Sequence, residues 1–408
     1  MTLESDKKIV FLLSFISPIV GLYTAIRYRY EPWAKNLCWI FCSFTGLVII
    51  YSYAEGYDIY RYALQIKDFY NSELGFTGLA RQFYAQENVD VYQFILVFFT
   101  SRFTDNEHVL FLLYAIIYGF FYSRNIWYIY ERKNNDNKSY HIGILILYIA
   151  LIWPIWQIAG ARFGTAFHLF IYGAMPYVFE KNKSKLVFLF LSAVVHFSFI
   201  FPITLFLIYL FLPRKQYVVV IFYGITLFIR EINLSVVNEF LNTYLPSFLH
   251  SRVDIYANED FLIRIKEMTF SFHVTFMKYI GYVTVQLLLF ISFYMLQRYL
   301  KDNSKINNLF FFSTLLGAFS NLFSLVPNGD RFLSLSQFFI LSSVTFIFSE
   351  LPTSDTYRKR LLPLVFLLLI PVIFIIRVGC DYYGFSLFGN FITAFFIDDH
   401  TPFIELFK

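Results

Sequence analysis

The chain has 408 residues, of which 58% are hydrophobic, 22% aromatic and only 15% charged. A soluble domain carries about a quarter charged residues. Here the apolar residues come in long runs, not in short alternating segments, which excludes a soluble enzyme and a β-barrel and predicts an all-α polytopic membrane protein. The formal charge of +5 is small, and no long basic patch suited to nucleic acid occurs. The three cysteines, Cys38, Cys42 and Cys380, and the histidines show no metal-site spacing. With no glycine-rich phosphate loop either, neither a metal nor a cofactor is expected.

In chain order, residues 9–26 form the first apolar run. No small-residue cleavage site follows it, so it reads as a membrane helix and not a signal peptide. Residues 37–53 form the second. Then comes Tyr51–Tyr70, YSYAEGYDIYRYALQIKDFY, which sets Glu55, Asp58, Arg61, Lys67 and Asp68 among six tyrosines. On a helix, Asp58, Arg61, Tyr62 and Gln65 share one face, and Tyr53, Tyr57 and Tyr60 another. Alone, the stretch reads as an aromatic surface helix with a local Asp58–Arg61 ion pair. Residues 91–103 are too few to cross, since a span needs about 20 residues, and read as a re-entrant or interfacial helix. Spans follow at 108–130, 141–159 and 161–177. The run 186–212 reads as two short helices meeting near AVVHFSFIFP, and 217–229 as a further span. A second polar interval, 230–272, precedes spans at 274–296, 309–326, 332–348 and 361–376.

Lysine and arginine gather at 27–35, 132–138, 181–185, 214–215, 298–305 and 358–360, which the positive-inside rule places in the cytoplasm. This gives about 10–12 membrane helices by length, in a single integral membrane domain over residues 1–408. The larger loops, about 54–90 and 230–272, then lie outside. The scheme also puts the N-terminus outside, against Lys7 and Lys8, unless the first run is not a simple span.

Arg162 sits where two apolar runs join, in QIAGARFGTAF. There a guanidinium must meet water, an acid or a phosphate. It is either an anion clamp for a lipid-linked pyrophosphate or a snorkelling helix end. Small neighbours permit tight helix packing and favour the clamp. His196 is a proton donor, a sugar hydrogen-bond partner or a helix–helix contact, while His168 reads as a packing residue. Asp330 and Arg331 occupy a tight turn, PNGDR, with Arg331 able to reach a phosphate and Asp330 to orient it; Asn321 adds a buried polar group toward that turn. Arg252, Asp254 and Tyr256 form a candidate cover over a substrate.

Taken together these features resemble the EpsG-type branch of the Wzy-like bacterial polysaccharide polymerases. The resemblance rests on Asp58 with Tyr62, the segment Glu87-Asn88-Val89-Asp90-Val91-Tyr92, Arg162 with Ala166, Ala193 with His196 and Ser198, and Arg331, in that order over almost the whole chain. One departure is that an expected Arg-Gln-Ala reads Arg162-Phe163-Gly164. The resemblance implies a glycosyltransferase of the bacterial cytoplasmic membrane. It would move a growing glycan from undecaprenyl pyrophosphate to a new lipid-linked unit, with a chain-length-regulating co-polymerase as a candidate partner. Arg162 and Arg331 would stabilise the leaving pyrophosphate, and Asp58 would act as general base. Arg61, Tyr62, His196, Asp330 and Arg252 would bind substrate. The alternatives are a single-sugar lipid-phosphate transferase, a lipid-linked oligosaccharide flippase, whose halves should be pseudo-symmetric, and a membrane acyltransferase.

Overall fold

The structure, a computed structural model, describes residues 3–51, 58–72, 75–85, 91–134, 140–233, 239, 243, 272–351, 356–396 and 401–407. Among these the protein is all α, with seventeen α-helices, short 3-10 turns and no strand. The expected all-α polytopic architecture is therefore observed. Six helical stretches among the described residues are long and apolar enough to cross a bilayer; one of them, Tyr140–Glu180, holds two helices joined by a 3-10 turn. Six is fewer than the 10–12 expected. Several apolar runs fold as helices of 10–14 residues, too short to cross alone.

The first run shows how. Pro18 divides it into α1 (Leu3–Ile16) and α2 (Pro18–Arg27). The two fold back on each other, with Gly21 against Ser14. Phe11 of α1 meets Trp33, just before α3 (Ala34–Leu47). The first run is thus a hairpin, not a span, and it keeps the start of α1 near the basic turn at 27–35.

α3 climbs beside α7 (Glu107–Arg132), which is about 39 Å long. Lys35 pairs with Glu131 at 2.8 Å at the basic end of this pair. At the far end the Tyr51 hydroxyl donates to Glu107 at 3.0 Å. α4 (Asp58–Asn71), α5 (Phe76–Ala85) and α6 (Val91–Ser101) occupy that far end, so the first polar interval is largely helical. α6 is about 16 Å long. It lies along α4, through Phe69–Phe94 ring packing and a Gln93–Gln65 hydrogen bond, and it is too short to cross alone.

α8 (Tyr140–Ile152) climbs from the basic end and stops at Pro154, which cannot donate to a helical bond. A 3-10 turn, Ile155–Gly160, reverses the chain into α9 (Ala161–Glu180). Glu180 then accepts from Arg132 at 2.9 Å at the basic end. The Tyr118 hydroxyl donates to the carbonyls of Trp153 and Pro154 at 2.8 and 2.9 Å. Tyr118 lies 11 residues into α7, so the α8–α9 turn is sunk about 16 Å below the Glu107 end.

α10 (Leu186–Val195) and α11 (Ile200–Phe211) form a second hairpin, with His196 near its tip. Lys181 reaches the Tyr209 hydroxyl at 3.1 Å, which returns the end of α11 to the basic end. The two short helices expected across 186–212 are present. α12 (Gln216–Thr226) has only 11 residues and falls short of the expected span. α13 (Phe272–Tyr299), α14 (Ser304–Phe323) and α15 (Arg331–Glu350) complete the bundle with α16 (Thr356–Phe366) and α17 (Leu369–Gly379). Asn321, expected to serve the PNGDR turn, instead donates to Thr226 at 3.0 Å and accepts from Tyr282 at 3.2 Å, tying α12, α13 and α14 together.

Candidate active site

The polar face of α4 is directed at the start of α9. The Arg162 Nε–H donates to the Tyr62 hydroxyl at 2.9 Å, and Arg162 Nη2 lies 3.5 Å from Asp58 Oδ2. Arg61, one turn along α4, also pairs with Asp58 but remains largely exposed. The Tyr62 ring packs on Tyr114 at 5.8 Å. Tyr114 is seven residues below Glu107 in α7, so Arg162 and Asp58 sit about 10 Å beneath the far rim.

Burial pushes the Asp58 carboxyl up, but the Arg162 and Arg61 charges and their hydrogen bonds outweigh it and hold the group below the usual carboxylate range. Burial dominates at Tyr62 and raises its phenol well above the ordinary value. Tyr62 is therefore a neutral hydrogen-bonding group that positions Arg162. Arg162 itself occupies the first turn of α9. There the helix dipole adds partial positive charge to that of the guanidinium. The combination suits an anion with several oxygens.

Phe163 connects this half of the site to the other. Its ring is 5.5 Å from His196 in an edge-on packing, 5.6 Å from Phe332, and 5.7 Å from the Arg331 guanidinium. Adjacent residues of one helix turn thus join Asp58 and Tyr62 to His196 and Arg331. His196 Nδ1 accepts the Ser198 backbone N–H at 3.3 Å and lies 2.8 Å from the Ser198 hydroxyl. Nε2 is then the N–H of the neutral ring, able to donate.

The turn before α15 is built to place Arg331. Asn328 adopts a left-handed backbone at φ 60°, and its side chain accepts from Arg331 at 3.3 Å. Gly329 must lack a Cβ, which would lie 1.8 Å from the Phe323 carbonyl oxygen. Asp330 is exposed at the N-cap of α15 with no side-chain cap bond, and Arg331 leans on Asn328 and Phe163. Arg252, like Asp254 and Tyr256, lies outside the described residues.

Phe163 and Gly164 look like departures in the sequence, yet both have geometric roles. A Cβ at residue 164 would lie 2.8 Å from Trp153 Nε1 and 3.0 Å from the Tyr118 ring, so only glycine lets the sunken turn pack. Arg124 also escaped notice inside an apolar run, where any arginine is a warning. It points to the basic end, bonding Asn36 at 2.6 Å and lying on the Phe120 ring at 4.1 Å. His168 is buried as a link between Asn125 and Tyr118. Among the described residues no group of three or more His, Cys, Asp or Glu side chains is placed to hold a metal.

These features define a class: an all-α, multi-pass membrane protein with a recessed cationic site at the end opposite its basic turns. Within that class the chain belongs to the EpsG family, which matches it over residues 35–388. The family assigns it a polysaccharide-polymerase-like, glycosyltransferase-like role in general. None of the curated proteins and none of the solved structures compared matches it.

Proposed function

We propose that the protein polymerises lipid-linked oligosaccharide repeat units at the outer face of the bacterial cytoplasmic membrane. In this reading it transfers a growing glycan from undecaprenyl pyrophosphate to a new lipid-linked unit. The observation that carries this is the meeting of Asp58 and Tyr62 with Arg162, and of Arg331 and His196 with Phe163, about 10 Å below the far rim. An amphiphilic pyrophosphate needs cations held at that depth.

In the resting site Asp58 faces Arg162, and its low pKa makes it a weak base. When pyrophosphate oxygens take over the guanidinium, Asp58 loses its strongest counter-charge and its basicity rises. The acceptor hydroxyl then attacks the anomeric carbon of the donor as its proton passes to Asp58. The bond from that carbon to the pyrophosphate oxygen breaks, and its electron pair stays on the pyrophosphate. Arg162 and Arg331 stabilise that developing charge. His196 Nε2–H donates to a sugar hydroxyl or to the same phosphate, and Tyr62 keeps Arg162 in place.

The test is the glycan profile of cells whose own gene is replaced by Asp58→Asn, Arg162→Ala or Arg331→Ala, with membrane levels of each protein measured. The reading expects single capped repeat units from all three. Full-length polysaccharide from all three would overturn the site. Loss of every unit from the surface would indicate a flippase, and long chains of altered composition a single-sugar transferase.

A further inference from the structure

A cavity of about 1110 Å³ lies between α2, α3 and α7 on one side and α8 and α17 on the other. The polymerisation chemistry makes no use of it. It exceeds the roughly 300–1,000 Å³ of pockets that take drug-sized ligands. Its wall is mostly hydrocarbon, from residues such as Phe41, Ile126, Leu147 and Ile376. One extremity is polar: Arg29, Tyr30 and Lys133 line it at the basic end. Trp156, packed on Gly379, stands at the other.

We propose that this cavity binds one anionic phospholipid, its acyl chains along the apolar wall and its phosphate between Arg29 and Lys133. Three observations support this occupant. First, the Arg29 guanidinium and the Lys133 ammonium lie 4.8 and 5.0 Å from the same Tyr30 ring. Lys133 is only 5% exposed. The two cations share the Tyr30 ring, to which Lys133 also hydrogen-bonds, and an anion beside them offsets their mutual repulsion and the loss of solvent. Burial pushes the Lys133 ammonium down from its ordinary value; Tyr30 opposes this, and the Arg29 charge adds to it.

Second, the Leu361–Gly379 span is only 28% buried in the bundle, against 83% for Arg331–Glu350. It leans on α8 and α13 and faces α3 across the cavity, where a lipid would fill the gap. Third, the cationic mouth is at the opposite end of the bundle from Arg162 and Arg331. A lipid whose phosphate sits there is therefore distinct from the pyrophosphate substrate, and the inference stands whether or not the polymerase reading holds. It belongs to the leaflet at the basic end, where anionic headgroups attract lysine and arginine.

The test uses the full chain in nanodiscs of phosphatidylcholine and phosphatidylglycerol, followed by native mass spectrometry and melting. One retained phosphatidylglycerol per protein is expected, with a melting temperature that rises with phosphatidylglycerol content. An Arg29→Gln/Lys133→Gln double variant should lose the preference for phosphatidylglycerol at least tenfold. Gly143 lines the cavity, and a Cβ there meets nothing within 4 Å. Gly143→Phe should therefore fold normally and retain no lipid of either kind. Wild-type protein that keeps no lipid, or that keeps a polyprenyl phosphate instead, overturns the proposal. So does phosphatidylglycerol retention unchanged in Gly143→Phe.

Discussion

The two ends of the bundle handle their cations differently. At the basic end two interhelical ion pairs are tight, Lys35–Glu131 at 2.8 Å and Arg132–Glu180 at 2.9 Å, while Arg132 lies 3.5 Å from its neighbour Glu131. The two tight pairs match the roughly 2.7–2.9 Å of a good charge-assisted bond. At the far end several contacts are longer, although Arg61 pairs closely with Asp58 within α4 and the Arg162 Nε–H donates to Tyr62 at 2.9 Å. Arg162 meets Asp58 at 3.5 Å, Arg331 meets Asn328 at 3.3 Å, and Lys67 meets Glu107 at 3.3 Å. A tight pair fixes two helices together. A loose pair holds a guanidinium near its working position while leaving it open to exchange for a ligand. On the proposed reading the short interhelical pairs at the basic end serve packing, and the longer Arg162–Asp58 contact at the far end serves chemistry.

That contrast can be broken most directly at Arg162. Arg162→Ala should lower polymer formation by about a thousandfold, the upper range for losing one pre-organised charge-stabilising group, as read from the rate of polymer formation on a lipid-linked unit. Arg162→Lys should recover little, because an ammonium cannot grip two oxygens as a planar fork does. Asp58→Asn should cost about a hundredfold, the lower range for a general base, with Arg162 still held by Tyr62.

The pH dependence sharpens the comparison. The Asp58 pKa is depressed in the folded protein, so its stabilising effect is present above the unfolded value and lost as pH falls through the folded one. In the free enzyme the acid limb of kcat/KM should accordingly lie below the ordinary carboxylate value of about 4. With phosphate on Arg162, the acid limb of kcat should lie higher. Identical limbs would show that Arg162 does not change partners.

A smaller effect is expected at Phe163→Leu, which keeps bulk but removes the aromatic face near Arg331. Polymer formation should fall by about two- to fivefold, in line with the ~0.5–1 kcal/mol of an exposed cation–π contact. The smallest effect on activity belongs to the tight end. Glu180→Gln should lower stability by about 1 kcal/mol or less in a denaturation measurement and leave polymer formation unchanged.

Much of this was legible from the residues alone. The long apolar runs announce membrane helices because hydropathy is a local property. The face shared by Asp58 and Tyr62 follows from helical periodicity and is the face that meets Arg162. The number of spans was not legible. Pro18 and the His196 turn mark breaks, but a break does not say whether the chain continues onward or returns, which depends on what each short helix packs against. Phe163 was opaque for a related reason. Beside an arginine in an apolar run a phenylalanine is unremarkable, and its value lies in contacts with His196 and Arg331, distant in sequence. Arg252 falls outside the described residues, so its place in the site remains a matter of sequence.

The depth of the α8–α9 turn has a geometric corollary for the acceptor. On the polymerase reading, both lipid-linked partners are tethered in the same leaflet, yet the acceptor must bring its sugar end, not its phosphate, to Asp58. The site is sunk about 10 Å below the rim, so the acceptor glycan has to rise from its own anchor, arch over the rim and descend. A repeat unit too short to make that arch cannot react, however well its terminal sugar fits. The recess would then act as a ruler, setting a minimum repeat length for elongation.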